Sequence, residues 1–129
     1  MEKSPNDKTK ITSYTDLLVW QEARILAKLT YEILKRFPKD ERYGLSSQMK
    51  RAVVSVPSNI AEGFGRLGSK EKNQFYHIAK GSLAELETQG FIASDVGLLS
   101  ESDLRKLLEQ ATKTHKLLQG LIKANKERL

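Results

Sequence analysis

Residues Gly63 to Gly68 read G-F-G-R-L-G, the literal spacing of a dinucleotide-binding fingerprint, in which glycines let the backbone approach a pyrophosphate. That chemistry needs a strand running into the first glycine, a helix opening at the turn, and an acidic residue at the end of the next strand. Here Pro57 and five further residues separate the β-branched run Val53 to Val56 from Gly63, and Glu85 and Glu87 fall inside a helical pattern. The spacing therefore reads as a turn between helices. Arg66, Lys70 and Lys72 flank this turn, where the free amides of a helix start favour anions, so phosphate contact is the chemistry these three residues would perform. Nucleophilic and metal chemistry find less support. Ser55 and Ser58 flank a proline in a charge-free run, with no base beside them. His77 and His115 are the only histidines, the Glu-x-x-His of a bundle metal site does not occur, and there is no cysteine. No catalytic residue, metal or cofactor is expected, and no small-molecule substrate.

The elements that would hold these residues are helices. From Asp16 to Phe37, Trp20, Ala23, Ala27, Tyr31 and Leu34 recur at steps of three and four, and Pro38 ends the pattern. In a second helix Leu45, Met49, Ala52, Val56 and Ile60 form one stripe, with Val53, Val54, Ala61 and Phe64 in a second apolar stripe beside it. Pro57 lies inside this helix, where it lacks an N–H and crowds the carbonyl of Val53, so a bend is expected there. Ser55, Ser58 and Asn59 are placed to bond the freed carbonyls. The alternatives are two shorter helices broken at Ser55 to Pro57, or a strand over Val53 to Val56.

Ser69 suits the N-cap of a third helix, in which Phe75, Ile78, Ala79, Ser82, Leu83, Leu86, Gly90 and Ala93 keep one side apolar or small, and Gly97 suits its end. Ser100 opens a fourth, carrying Leu104, Leu107, Leu108, Ala111, His115, Leu118 and Leu121, with Lys123, Lys126 and Arg128 at the negative end of its dipole. Four helices joined by short connections imply an all-α, antiparallel up-down-up-down bundle with a proline-kinked second helix. It spans residues 14–129, after a flexible polar tail over residues 1–13. In that arrangement Lys123 and Lys126 share an end with Arg66, Lys70 and Lys72.

The 129 residues fit one domain, and a formal charge of +6 favours polyanions as partners. Residues 81–112 hold two bases against six acids, so the remainder carries +10 and any anion-binding face avoids this stretch. The polar first residues and the absence of a long apolar run point to a cytoplasmic protein without membrane contact. Ala52 to Ala61 runs ten residues without a charge. So uniform a run implies cover on more than one side, which a second copy of the chain would supply. Val53, Val54, Pro57, Asn59, Ala61, Glu62 and Phe64 are the candidate oligomer interface. Glu62 stands four residues before Arg66 and can pair with it. Lys50 and Arg51 bound the same run and join the candidate phosphate contacts. The nine aromatics lie mostly on apolar stripes, which favours core packing over base stacking.

Several of these residues form a wider pattern: Tyr14-x-Asp16-Leu17 with Trp20-Gln21, Phe37-Pro38, Tyr43-Gly44-Leu45, Gln48, Arg51-Ala52, and the run Ser55 to Gly63 (SVPSNIAEG). Arg66, Gly81-Ser82-Leu83 and Glu85-Leu86-x-Thr88-Gln89 continue it. Over about residues 14–125 the chain resembles the four-helix-bundle family encoded in intervening sequences of bacterial 23S ribosomal RNA genes. The resemblance implies an antiparallel bundle assembled as a homopentamer without enzymatic activity. More distantly it resembles the accessory variability proteins of diversity-generating retroelements, basic pentameric bundles, which implies a nucleic-acid role. Lys50 stands where the pattern usually has Arg, and Gly90 where a larger apolar residue is common; Gly90 would let another helix approach closely. The expected function is a non-enzymatic homo-oligomer that binds RNA or a ribonucleoprotein through Lys50, Arg51, Arg66, Lys70, Lys72, Lys123 and Lys126. The alternative is a scaffold or accessory protein whose partner is another protein.

Overall fold

The computed structural model describes residues 10–41 and 44–127. Tail residues Met1 to Thr9, together with Tyr43 and Arg128, lie outside the described residues. A 3₁₀ turn, Tyr14–Asp16, precedes α1 (Leu18–Leu34), and a second, Lys39–Glu41, leads to α2 (Leu45–Phe64). The chain continues into α3 (Ser69–Asp95) and α4 (Glu101–Lys126). Among the described residues each helix packs on its neighbours in sequence, α4 returns to α1, and the diagonal pairs make no close backbone approach, which makes a four-helix all-α bundle. Contacts between neighbours join the start of one helix to the end of the next. Gly63 near the end of α2 faces Tyr76 in α3, Asn125 late in α4 bonds Ser69 at the start of α3, and Arg36 just past α1 pairs with Asp103 at the start of α4.

Local chemistry explains most boundaries. Thr12 and Ser13, assigned to the tail by sequence, donate their backbone amides to Asp16 Oδ2 at 3.0 and 3.1 Å, so the ordered turn begins before Tyr14. The third helix starts one residue away from expectation. Gly68, in extended backbone, is its N-cap, and Ser69 is already helical. At the other end of α3, Gly97 has φ +82°, and the amides of Leu98 and Gly97 return to the carbonyls of Ala93 and Ser94 at 2.9 and 3.1 Å. This left-handed exit satisfies two carbonyls that the helix leaves open. Ser100 Oγ accepts the amide of Asp103 at 3.1 Å, a cap that stabilises α4 by about 1 kcal/mol.

α2 runs unbroken through Pro57, which excludes both the two-helix alternative and the strand. Ala52, Val53, Val56 and Ile60 are at most 4% exposed within the chain's own core. Burying Val53, Val56 and Ile60 contributes about 1.5–3 kcal/mol each, enough to offset the cost of about 3 kcal/mol for an interior proline. The side chains near Pro57 bond differently from expectation. Asn59 Nδ2 donates to the carbonyl of Ser55 at 2.8 Å and to its Oγ at 2.9 Å, while Ser58 is exposed. Ser82 Oγ of α3 also donates to Ser55 Oγ, at 2.8 Å.

The buried face of α1 is rotated from the expected stripe. Val19, Glu22, Ala23, Leu26, Thr30, Ile33 and Leu34 are buried, whereas Tyr31 is 41% exposed and Trp20 half-buried. Two polar residues thus occupy the inner face, each satisfied. Thr30 Oγ1 donates to the Leu26 carbonyl at 2.8 Å, and Glu22 Oε1 lies 2.9 Å from Lys113 Nζ of α4. Gly90 behaves as expected of a close approach, since a methyl there would lie 2.8 Å from Leu107 Cδ2.

Candidate functional site

The glycine turn is built by two helices rather than by a strand and a helix. Residues before Gly63 are helical, Gly63 is buried inside α2, and Gly65 caps its end. The dinucleotide spacing therefore has no strand to work with. Around this turn, two of the three basic residues are engaged internally. Arg66 pairs with Glu62 at 3.2 Å and Glu71 at 3.5 Å, and its guanidinium lies 4.5 Å from the Phe75 ring centroid. Lys72 Nζ donates to the Phe64 carbonyl at 2.6 Å, which satisfies an open end of α2. Lys70 is exposed.

Lys123 and Lys126 are exposed in the last turns of α4, close to the start of α3 because Asn125 Nδ2 donates to the Ser69 carbonyl at 2.7 Å. Lys70, Lys123 and Lys126 thus share one end of the bundle. Lys50 and Arg51 do not join them. They stand near the start of α2, about 24 Å from Arg66 at 1.5 Å per residue. The seven candidate phosphate contacts therefore fall into two groups. Lys50 is half-buried with its ammonium 5.4 Å from the Tyr31 ring centroid, and Arg51 is exposed.

The candidate oligomer surface on α2 is smaller than the sequence implies. Val53 is fully buried in the chain's own core and offers no surface to a second copy, because α2 packs on both α1 and α3 and turns a broad arc inward. Val54 is 43% exposed, while Pro57, Asn59, Ala61 and Phe64 are half-buried and Glu62 is exposed beside Arg66. Larger uncovered apolar side chains lie on and just past α3. Ile78 is 51% exposed, Phe91 50%, Ile92 47% and Val96 63%. Ile78 had been placed in the core stripe, and the deeply buried Tyr76 takes that role instead.

Surface aromatics were also missed. Tyr14 is 40% exposed, and its ring packs edge-on to Trp20 with centroids 5.3 Å apart. Arg24 lies 5.7 Å from the centre of the Trp20 ring. The sequence signal for this arrangement was the charged residue four positions after Trp20, on the face that had been assigned to the core. Among the described residues, no group of three His, Asp or Glu side chains converges to hold a metal, and no helix is long and apolar enough to cross a membrane.

Comparison with solved structures places this fold beside a protein of unknown function from the S23 ribosomal protein family of Bacteroides thetaiotaomicron. The two superpose with a TM-score of 0.76 at 19% identity, over 82% of this chain and 99% of the other. Comparison with curated proteins finds no match. The family profile described as 23S rRNA-intervening sequence protein matches residues 15–120, which contain all of α1, α2 and α3 and most of α4. The chain belongs to the 23S rRNA-intervening sequence protein family.

Proposed function

We propose that the protein is a non-enzymatic cytoplasmic homo-oligomer, a pentamer, that binds RNA or a ribonucleoprotein through basic surface residues. The observation that carries this reading is the separation of charge. Lys70, Lys123 and Lys126 project from one end of the bundle, whereas the acid-rich stretch of residues 81–112 occupies the later part of α3 and the first part of α4. Repetition around a ring would multiply modest phosphate contacts by avidity. The exposed apolar side chains of α3, together with Val54, supply a surface through which copies can meet.

Two measurements test the two parts. Light scattering should give a particle near five times the 14.6 kDa chain, and a monomer would remove the ring and its avidity. Titration of labelled RNA at two ionic strengths should show affinity falling with salt, with a log–log slope of about −0.7 for each phosphate contacted on a single strand. A flat or absent response would defeat RNA binding. The exposed apolar side chains of α3 favour a second reading, in which the protein is a scaffold for another protein and its charge serves solubility. Pull-down after nuclease treatment separates the readings, since partners retained without nucleic acid favour the scaffold.

A further inference from the structure

We propose that the face formed by α1 and α2 is a groove for single-stranded nucleic acid, with bases stacking on Tyr14 and Tyr31 and phosphates meeting Arg24 and Lys50. This inference rests on the RNA reading above and adds to the Lys70, Lys123 and Lys126 end a second surface with its own mode of binding. Tyr14 and Tyr31 stand at opposite ends of α1 and are 40% and 41% exposed. Each belongs to a cluster that holds an aromatic ring beside a cation. Tyr14 meets Trp20 at 5.3 Å, and Trp20 in turn carries Arg24 at 5.7 Å. Tyr31 carries Lys50 of α2 at 5.4 Å, so this second cluster bridges the two helices. Trp20, Arg24 and Tyr31 follow one helical stripe, with Trp20 and Tyr31 about three turns apart.

α2 forms the other wall. Ser58, Ala61 and Gly65 line a shallow hollow of about 600 Å³ together with Tyr14 and Arg66. Glu62 also lines it, and its charge is paired with Arg66. Beyond this end, acids are few on the face. Between Asp16 and Glu32, α1 has one acid, Glu22, which is buried and paired with Lys113 on the side of α4. Before Glu62, α2 has none. Arg24, Lys28, Lys50 and Arg51 therefore outnumber the exposed acids of the two helices, of which Glu32, four residues past Lys28, is the nearest on α1.

A basic track interleaved with exposed rings is what single strands need, because every base presents a stacking face and the backbone follows the charge. A duplex hides those faces inside its stack and would leave Tyr14 and Tyr31 without partners. The length of α1, about 26 Å, suits the site sizes of about 4–16 nucleotides found for single-strand binders. The exposed apolar side chains of α3, Ile78, Phe91 and Ile92, belong to neither helix of this face.

The test uses the full chain and an oligouridine about a dozen nucleotides long, a length within the usual range of site sizes. Trp20 is the sole tryptophan and reports directly from the groove. Its emission should change on binding. Tyr31→Ala should weaken affinity by at least about fivefold, while Tyr31→Phe, which keeps the ring, should bind as the unsubstituted chain does. Lys50→Gln should reduce the salt slope by about 0.7. Because Tyr31 is exposed, circular dichroism should show both Tyr31 variants folded. Oligothymidine bound equally well supports the groove and removes the ribose hydroxyl from recognition; weaker binding assigns RNA. If RNA still binds but Tyr31→Ala has no effect, Trp20 emission is unchanged, or duplex RNA competes equally, the groove is wrong and the RNA reading stands. If the unsubstituted chain binds no nucleic acid at low salt, both fall and the protein-scaffold reading takes their place.

Discussion

Replacing Gly63 by alanine lowers the free energy of unfolding by about 2 kcal/mol, although alanine is the better helix former. The added methyl would lie 2.7 Å from Tyr76 Cε1 and 3.0 Å from both the Lys72 carbonyl oxygen and Phe75 Cβ. Two of these three atoms are backbone or next to it, so the clash cannot be relieved by rotating one side chain, and α2 must move away from α3. Overpacking of this kind costs about 1–3 kcal/mol, and at Gly63 the upper part of that range is only partly offset by a propensity gain of up to about 1 kcal/mol. Gly120 is the control. It lies in α4 with nothing within 4 Å of the added methyl, so Gly120→Ala keeps the propensity gain and raises stability by up to about 1 kcal/mol. Urea denaturation of both variants checks the pair. Equal effects of the two substitutions would mean that α2 and α3 are not in such close contact.

Asn125→Ala produces the second large effect, a loss of about 2–3 kcal/mol. Asn125 is 5% exposed, and its Nδ2 donates to the Ser69 carbonyl at 2.7 Å and to Asn73 Oδ1 at 2.8 Å. Asn73, itself 6% exposed, donates from Nδ2 to the Ile122 carbonyl at 3.3 Å. Truncating Asn125 removes two bonds and strands Asn73 Oδ1 in a site that water reaches poorly. A buried polar group left without a partner costs about 1–3 kcal/mol beyond the bond itself. The two asparagines should therefore couple. In a double-mutant cycle, Asn73→Ala combined with Asn125→Ala should cost less than the sum of the single changes. Strict additivity would show that the pair does not act as one pin between α3 and α4. Because Lys70, Lys123 and Lys126 flank this pin, its loss should also loosen the basic end of the bundle, read as faster amide exchange around Ser69 and Asn125.

The stripe of Met49, Ala52, Val56 and Ile60 was legible because the run Ala52 to Ala61 holds no charge and its polar residues, Ser55, Ser58 and Asn59, fall off that stripe. Gly97 and Ser100 announced their caps by residue type alone. On α1 the same reasoning rotated the face. Trp20 and Tyr31 look like core residues by size, and Glu22 and Thr30 look like surface residues by polarity. For Glu22 the outcome depends on Lys113 of α4, a partner that no local pattern of α1 announces, whereas Thr30 bonds back to the Leu26 carbonyl one turn earlier in its own helix. The charge-free run misled in a related way. It was read as surplus apolar surface, but α2 packs on two neighbours, so Val53 turns into the core and Val54 remains outside. The basic residues were identifiable by type, yet their separation into two groups along α2, and the internal bonds of Arg66 and Lys72, are matters of three-dimensional distance.

The ring of four helices closes where α4 meets α1, through Glu22 with Gln110 and Lys113 and through Arg36 with Asp103. As the chain is synthesised from its N-terminus, that seam is the last to form. Until the final helix has left the ribosome, the first three form an open trough whose apolar lining, Leu83 and Leu86 among it, faces solvent or a chaperone. The protein therefore acquires its finished core only once α4 has emerged, and the first three helices alone lack the lid that completes it.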